Sequence, residues 1–180
     1  MLSWVRGFFE SRGVLEVETP VLCHAGAVDE HLDPISVEYH PHGDPAKPEK
    51  LYLVTSPEHS MKRLLASGSG PIYQITRAFR DGERGPLHNP EFSILEWYRT
   101  GWDHRALMDE VEDLIRGAFT ERARAPGGLA EEAALPFERV TYKEAFLRAV
   151  GVDPFRASDA ELAALALARG CVVPDGSCVP

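Results

Sequence analysis

Cysteine is scarce in this 180-residue chain, with three residues, Cys23, Cys171 and Cys178, and no CxxC spacing. That argues against a disulfide framework or a zinc site and suits a reducing cytosol. Positive charge is also short: 19 Lys and Arg stand against 28 Asp and Glu, a net −9, with both signs interspersed and no basic arm. Wholesale electrostatic capture of a nucleic-acid backbone is therefore excluded, although a local pocket for nucleotide phosphates is not. No apolar run approaches membrane-spanning length, and no signal-peptide pattern precedes the first helix. Neither GxxxxGKS nor GxGxxG occurs, so P-loop and Rossmann nucleotide sites are absent. What remains is an ordinary globular balance, 44% hydrophobic and 26% charged, enough for a core in a soluble, acidic protein.

The pattern starts inside an amphipathic helix, with Leu2, Val5, Phe8 and Phe9 at helical spacing and a stop at Gly13. So abrupt a start leads one to expect further residues upstream. Val14–Val17 reads as a strand ended by Pro20. Two more strands, Pro34–Tyr39 and Leu51–Thr55, flank the Pro- and Gly-rich HPHGDPAKPEK loop. Ser56-Pro57-Glu58 is a helix start: a capping serine, a proline suited to the first turn and an acid facing the helix dipole. That helix carries Met61, Leu64 and Leu65 inward and stops near Gly68. Ile72–Arg80 and Glu91–Arg99 are extended runs joined by DGERGPLHNP. Asp103 caps a long helix with Leu107, Val111, Leu114, Ile115 and Phe119 on one stripe. After the APGG breaker at 125–128, capping boxes at Thr141/Glu144 and Ser158/Glu161 open two more helices. The order implies an α+β fold, an antiparallel sheet with helices packed on it. Residues 1–124 form its main part and 125–180 a helical extension of the same domain.

Period 2 divides each of the two long strands. Tyr73, Ile75, Arg77 and Phe79 share one face of the first; Gln74, Thr76, Ala78 and Arg80 share the other. In the second, Phe92, Ile94, Glu96 and Tyr98 oppose Ser93, Leu95, Trp97 and Arg99. Charged groups in this apolar setting need partners or a ligand. One reading is a half-solvated sheet with cross-strand pairs such as Arg80 with Glu96. The other is a nucleotide site: Arg80, Arg84 and His88 can donate to phosphate oxygens, Asn89 adds an amide, and Phe92 offers a face for a base.

These residues carry a resemblance. FRDGERGPLHNPEFSILEWY resembles motif 2 of the class II aminoacyl-tRNA synthetases, FFESRGVLEVETPVL resembles motif 1, and TSPEHSMKRLL is similar to the amino-acid-binding segment of the lysine-specific branch. Within that branch, SPEHSMKRLL with HNPEFSILEWYR is most similar to the truncated lysyl-tRNA synthetase paralogues that ligate lysine to elongation factor P and lack an anticodon-binding domain. The resemblance implies a class II antiparallel sheet flanked by helices, with ATP and Mg2+ as cofactors, lysine or β-lysine as substrate, elongation factor P as acceptor and a homodimer built through motif 1. It implies that Arg80 holds the ATP α-phosphate as the catalytic residue, with Asp81, Gly82, Glu83, His88, Asn89 and Phe92 around the nucleotide. Ser56, Pro57, Glu58, Glu96 and Tyr98 would form the amino-acid pocket.

The sequence departs from the family pattern in three places. Gly82 stands where the family has an adenine-reading glutamate, so either Glu83 takes that place or the contact is lost. Motif 3 is absent, and with it go the C-terminal acids that bind magnesium and lysine, so no metal ligand is assigned. The chain is accordingly expected to be the N-terminal part of a longer enzyme, inactive alone. A lysyl-tRNA synthetase fragment and a non-catalytic dimerisation or binding module stay open beside the ligase.

Overall fold

The computed structural model describes residues 1–26, 29, 32–42, 46–124 and 137–171. The APGG breaker and Cys178 lie outside them. The chain divides into two compact units, Met1–Ala134 and Leu135–Pro180.

The first unit opens with α1 (Leu2–Glu10), β1 (Leu15–Glu16), β2 (Leu22–Cys23), β3 (Ser36–Tyr39), β4 (Glu49–Leu53) and α2 (Glu58–Ala66). The long hairpin β5 (Ile72–Phe79) and β6 (Glu91–Tyr98) follows, and α3 (His104–Ala123) completes it. The strands form two three-stranded sheets, in the orders β1-β5-β6 and β2-β4-β3. The antiparallel expectation holds for three strand pairs but not for β1, which runs parallel to β5 with Leu15 beside Ile72. Val17 N–H donates to the Tyr73 carbonyl at 2.8 Å and Leu15 N–H to that of Pro71 at 3.0 Å. A helix lies between β1 and β5 in sequence, so the chain returns to the sheet in the same direction. Pairing in β4 begins at Glu49, inside the run expected to be loop, and ends at Leu53.

The β5–β6 register sets everything above it. Tyr73 faces Trp97, Ile75 faces Leu95 and Arg77 faces Ser93; on the other face Gln74 meets Glu96, Thr76 meets Ile94 and Ala78 meets Phe92. The first face packs under α1 and α3. Phe9, fully buried, stacks on Tyr73 with centroids 4.5 Å apart and meets Trp97 at 5.6 Å. Val5, Phe8, Val14 and Leu114 complete that cluster. Trp4 crosses α3 at Gly117, where an added Cβ would lie 2.2 Å from the indole, so only glycine admits this approach. The α1 stripe assigned to a dimer interface is thus largely spent inside the unit: Val5, Phe8 and Phe9 are core, and Leu2 alone of the four stays exposed.

One expected core position is exchanged for a charged one. Leu107 is exposed on α3, and Glu110, one turn on, is buried. Its carboxylate accepts from the Trp97 indole at 3.0 Å and is clamped by the Arg99 guanidinium, whose Nη1 also reaches the Arg12 carbonyl at 3.2 Å. Apolar periodicity cannot announce such a residue, because its burial depends on a cation two elements away. Helix caps did follow the expected chemistry. Asp103 accepts from the backbone of Arg105 and Ala106 at 3.0 and 2.9 Å.

The second unit is described over 137–171. It holds α4 (Tyr142–Val150) and α5 (Asp159–Ala168), opened by complete capping boxes at Thr141/Glu144 and Ser158/Glu161. Gly151 ends α4 in the left-handed conformation, and Tyr142 contacts Phe146 and Phe155.

Replacing Glu110 by Ala is expected to destabilise the chain by about 3–5 kcal/mol, because Arg99 would keep a buried charge with no counter-ion. Urea unfolding monitored by circular dichroism measures it; a loss under about 1 kcal/mol, the scale of an exposed pair, contradicts it.

Candidate functional site

The second face of the β5–β6 hairpin is not covered by α1 or α3, and the sequence-designated side chains gather there in two groups. At the loop end, Arg80 continues the row of Gln74, Thr76 and Ala78. Its backbone N–H donates to the Pro90 carbonyl at 2.9 Å, holding it beside the start of β6. Its guanidinium lies 4.9 Å over the Phe92 ring, donates Nε–H to the Thr55 carbonyl at 3.4 Å and faces Glu83 at 3.4 Å. A guanidinium so held, about three-quarters covered, is a preorganised donor with room for an oxyanion.

Gly82 has φ +72°, which favours glycine, and its N–H binds the Asp81 carboxylate at 2.9 Å. The turn delivers Glu83 to Arg80. The rest of the loop stays out: Gly85 and His88 exchange backbone hydrogen bonds at 3.0 and 3.3 Å, leaving Leu87 at the exposed tip. Arg84, His88 and Asn89 are exposed, and the structure does not bring their side chains to Arg80.

Farther along β6, Glu96 is held at both oxygens. The Tyr98 hydroxyl donates at 2.6 Å and the Ser56 hydroxyl at 3.2 Å. Ser56 also accepts from the Glu58 N–H at 3.0 Å, tying α2 to the sheet from the residue before the N-cap, one place ahead of the capping position expected for it. Pro57, fully buried, occupies the N-cap position. Glu58 is drawn off differently from expectation: its carboxylate meets Lys62 on the next turn at 2.5 Å, which holds it below the usual carboxylate range. The group is a cluster of two acids, a phenol and a hydroxyl around one cation. The Arg80–Glu96 cross-strand pair does not form, because the register sets Glu96 opposite Gln74, six residues back along β5 from Arg80.

Sequence reasoning missed the support beneath this face. Gln74 and Thr19 are both buried, and the Thr19 hydroxyl donates to the Gln74 side-chain oxygen at 3.0 Å. A buried glutamine opposite Glu96 is the one available signal, since period 2 already put Gln74 on the site face.

Burial and the hydrogen bond to Glu96 push the Tyr98 phenol well above its ordinary value. Burial and the bond to Glu16 push Tyr73 up to about 12. Among the described residues no three His, Cys, Asp or Glu side chains stand together to hold a metal ion.

Two motifs on one hairpin, a guanidinium over an aromatic ring and a carboxylate cluster bordered by a helix start, define the class. Residues 1–162 match the family of class II tRNA synthetases (D, K and N), and the chain belongs to it. Its relatives are more particular. It is 46% identical over 170 residues to the elongation factor P–(R)-β-lysine ligase of Vibrio vulnificus and 47% identical to that of Vibrio cholerae, in each case over 94% of this chain and 48% of the relative. The ligase of Edwardsiella ictaluri is 46% identical over 162 residues, 90% of this chain and 46% of the relative. The chain therefore spans about half the length of the curated relatives it matches. No helix among the described residues is long and apolar enough to cross a membrane.

The two upward-shifted phenols give a pH prediction. A group whose folded pKa is raised contributes stability that is intact below the unfolded value, about 10 for tyrosine, and lost as pH climbs through the folded one. Ultraviolet difference titration should therefore show Tyr73 and Tyr98 ionising after the other tyrosines, with unfolding free energy falling above about pH 10. All five tyrosines titrating together near pH 10 would contradict it.

Proposed function

We propose that this chain is the motif 1 and motif 2 part of an ATP-dependent ligase. It activates lysine or β-lysine as an acyl-adenylate and passes it to a lysine side chain of elongation factor P, in the cytoplasm. The observation that carries this reading is the spacing of the two groups on one sheet face. Arg80 and Phe92 supply a cation and a stacking ring at one end, and Glu96, Tyr98 and Ser56 supply an acidic pocket farther along the same strand. The relatives' names support the same substrate and acceptor.

In the first step, a carboxylate oxygen of the amino acid attacks the α-phosphorus, and the bond to the bridging oxygen breaks, releasing pyrophosphate. Arg80 neutralises charge growing on the phosphate oxygens, while Phe92 stacks on adenine and Glu83, with Asp81 and Gly82, borders the base. His88 and Asn89 reach the nucleotide from the exposed loop. In the second step, the acceptor amine attacks the acyl carbon, loses a proton, and the bond to AMP breaks. Ser56, Pro57 and Glu58 border the amino acid, and Glu96 with Tyr98 receives its ammonium group. Catalysis is positioning and charge stabilisation, with no covalent enzyme nucleophile. Mg2+ would neutralise the triphosphate, but the described residues do not furnish its ligand set. A tRNA acceptor is the second reading, favoured by the family's description. Exposed Met1, Leu2, Leu15, Val21 and Leu22 remain as the apolar surface for a homodimer.

Arg80→Ala in the full-length protein is expected to lower lysine-dependent ATP–pyrophosphate exchange about a hundredfold, on the scale of roughly 3 kcal/mol of transition-state stabilisation. Near-normal exchange would remove Arg80 from the mechanism.

Glu96→Gln keeps shape and removes charge. It should weaken lysine binding by about tenfold or more, from loss of a charge-assisted bond worth roughly 1.5–3 kcal/mol, with ATP affinity almost unchanged. Glu58→Gln should cost less, because Lys62 already neutralises Glu58. Calorimetric titration with lysine ranks the two, and a larger loss at Glu58 would reverse the assignment.

A further inference from the structure

A cavity of about 390 Å³ opens behind the site, between β2 with the turn that follows it and α2. Its polar lining is His24, Thr55, Ser56, His59, Ser60 and Arg63, and no carboxylate lines it among the described residues. In a chain of net charge −9 this is an exceptional composition. Ser56, His59, Ser60 and Arg63 recur at i, i+3, i+4 and i+7, so one face of the α2 segment builds the wall. Among the described residues, the Arg63 guanidinium and the imidazoles of His24 and His59 make no hydrogen bond or ion pair with a protein group. The nearest acid in sequence, Glu58, is occupied by Lys62. These exposed donors are open to a ligand, and an oxyanion is what they can bind in place of water.

The cavity is not the nucleotide end of the site, since neither Arg80 nor Phe92 lines it. It backs onto the site through two shared residues. The Thr55 carbonyl accepts from Arg80 Nε–H, and the Ser56 hydroxyl donates to Glu96. A ligand held there sits one backbone segment away from the face on which the acyl group would be activated. That offset suits a second anchor on the incoming molecule rather than its reacting group.

We propose that this cavity is the docking subsite for an acidic side chain of the acyl-accepting protein, a carboxylate displaced from the lysine that is modified. The inference rests on the ligase reading above. Arg63 supplies a charged fork, His24 and His59 add ring donors, and Ser56 and Ser60 add hydroxyls.

Arg63→Glu in the full-length protein tests it, with Arg63→Lys as the charge-preserving companion and circular dichroism melting as the fold control. Arg63 is exposed on α2, so both variants should fold. Lysine-dependent ATP–pyrophosphate exchange should stay within about twofold of wild type, because the nucleotide and ammonium groups are untouched. The KM for elongation factor P in the transfer assay should rise about tenfold or more in Arg63→Glu with kcat little changed, and Arg63→Lys should recover most of it. Calorimetric binding of elongation factor P without ATP should weaken by a similar factor. Unchanged KM and Kd for the protein overturn the proposal. So does a selective loss of tRNA aminoacylation with protein binding intact, which would assign the cavity to a phosphate. If the wild-type protein shows no lysine-dependent exchange, the ligase reading fails; the calorimetric comparison needs no chemistry and still decides the subsite.

Discussion

The pairing of β5 with β6 is the constraint on which the rest of the first unit depends. Eight residues of each strand lie in one antiparallel register, and side chains alternate between two faces with no intermediate option. One face must take Tyr73, Ile75, Leu95 and Trp97, the only large apolar set that α1 and α3 can cover. The other face then holds Gln74, Glu96, Phe92 and Tyr98 by default. A slip of one residue would place Glu96 against Phe9 and expose Trp97, so the hydrophobic core specifies the site's geometry by excluding its alternative. The acid and the guanidinium need no special device to face the same way.

Much of this was legible because it follows local rules. The two-face division of β5 and β6, the capping residues Asp103, Thr141 and Ser158, and the grouping of Arg80 with Phe92 depend only on period and on side-chain chemistry. Non-local facts were not legible. The direction of β1 depends on a helix returning the chain to the sheet. Burial of Glu110 depends on Arg99 and Trp97, neither of which marks α3 in sequence. The diversion of Glu58 to Lys62 was in principle visible as an acid and a lysine four residues apart, yet which of two acids keeps a free carboxylate depends on which one the neighbouring strand and helix supply with donors. Glu96 has hydroxyl donors on both oxygens, which orient it without neutralising it.

The polar groups fall into two kinds with different consequences. Glu110 and Arg99 neutralise each other almost completely out of water, and that pair is costly to break but does no chemistry. Thr19 and Gln74 satisfy one another under the site face. Glu96, Arg80 and Arg63 are different: each is held in place by neutral partners, loose ion pairs or none, and keeps electrostatic capacity for something else. A structure meant only to be stable would not leave Glu96 and Arg80 partly covered on one face of a hairpin, because desolvating them brings no return until a ligand arrives.

Their separation along β6 has its own meaning under the proposed activity. Phe92 and Glu96 stand four residues apart on one face, roughly 13 Å at about 3.3 Å per residue. A strand is nearly inextensible, so that interval is fixed as loops could not fix it. Between the two points must lie, end to end, a nucleoside with its α-phosphate and an amino acid running from carboxylate to side-chain ammonium. Under the proposed activity the phosphate and the carboxylate would meet at the Phe92 end of the interval, where the Arg80 guanidinium stands over the ring. A shorter acidic or neutral amino acid seated with its carboxylate at that junction would leave Glu96 unpaired, and a longer one would push the carboxylate past it. Under the proposed activity substrate length would be measured against the pleat itself, and the charge at the far end checked by an acid whose orientation Tyr98 and Ser56 already set. Ser56, just ahead of α2, ties the helix start to Glu96 and so fixes α2 relative to the strand that would carry the ammonium end of the substrate.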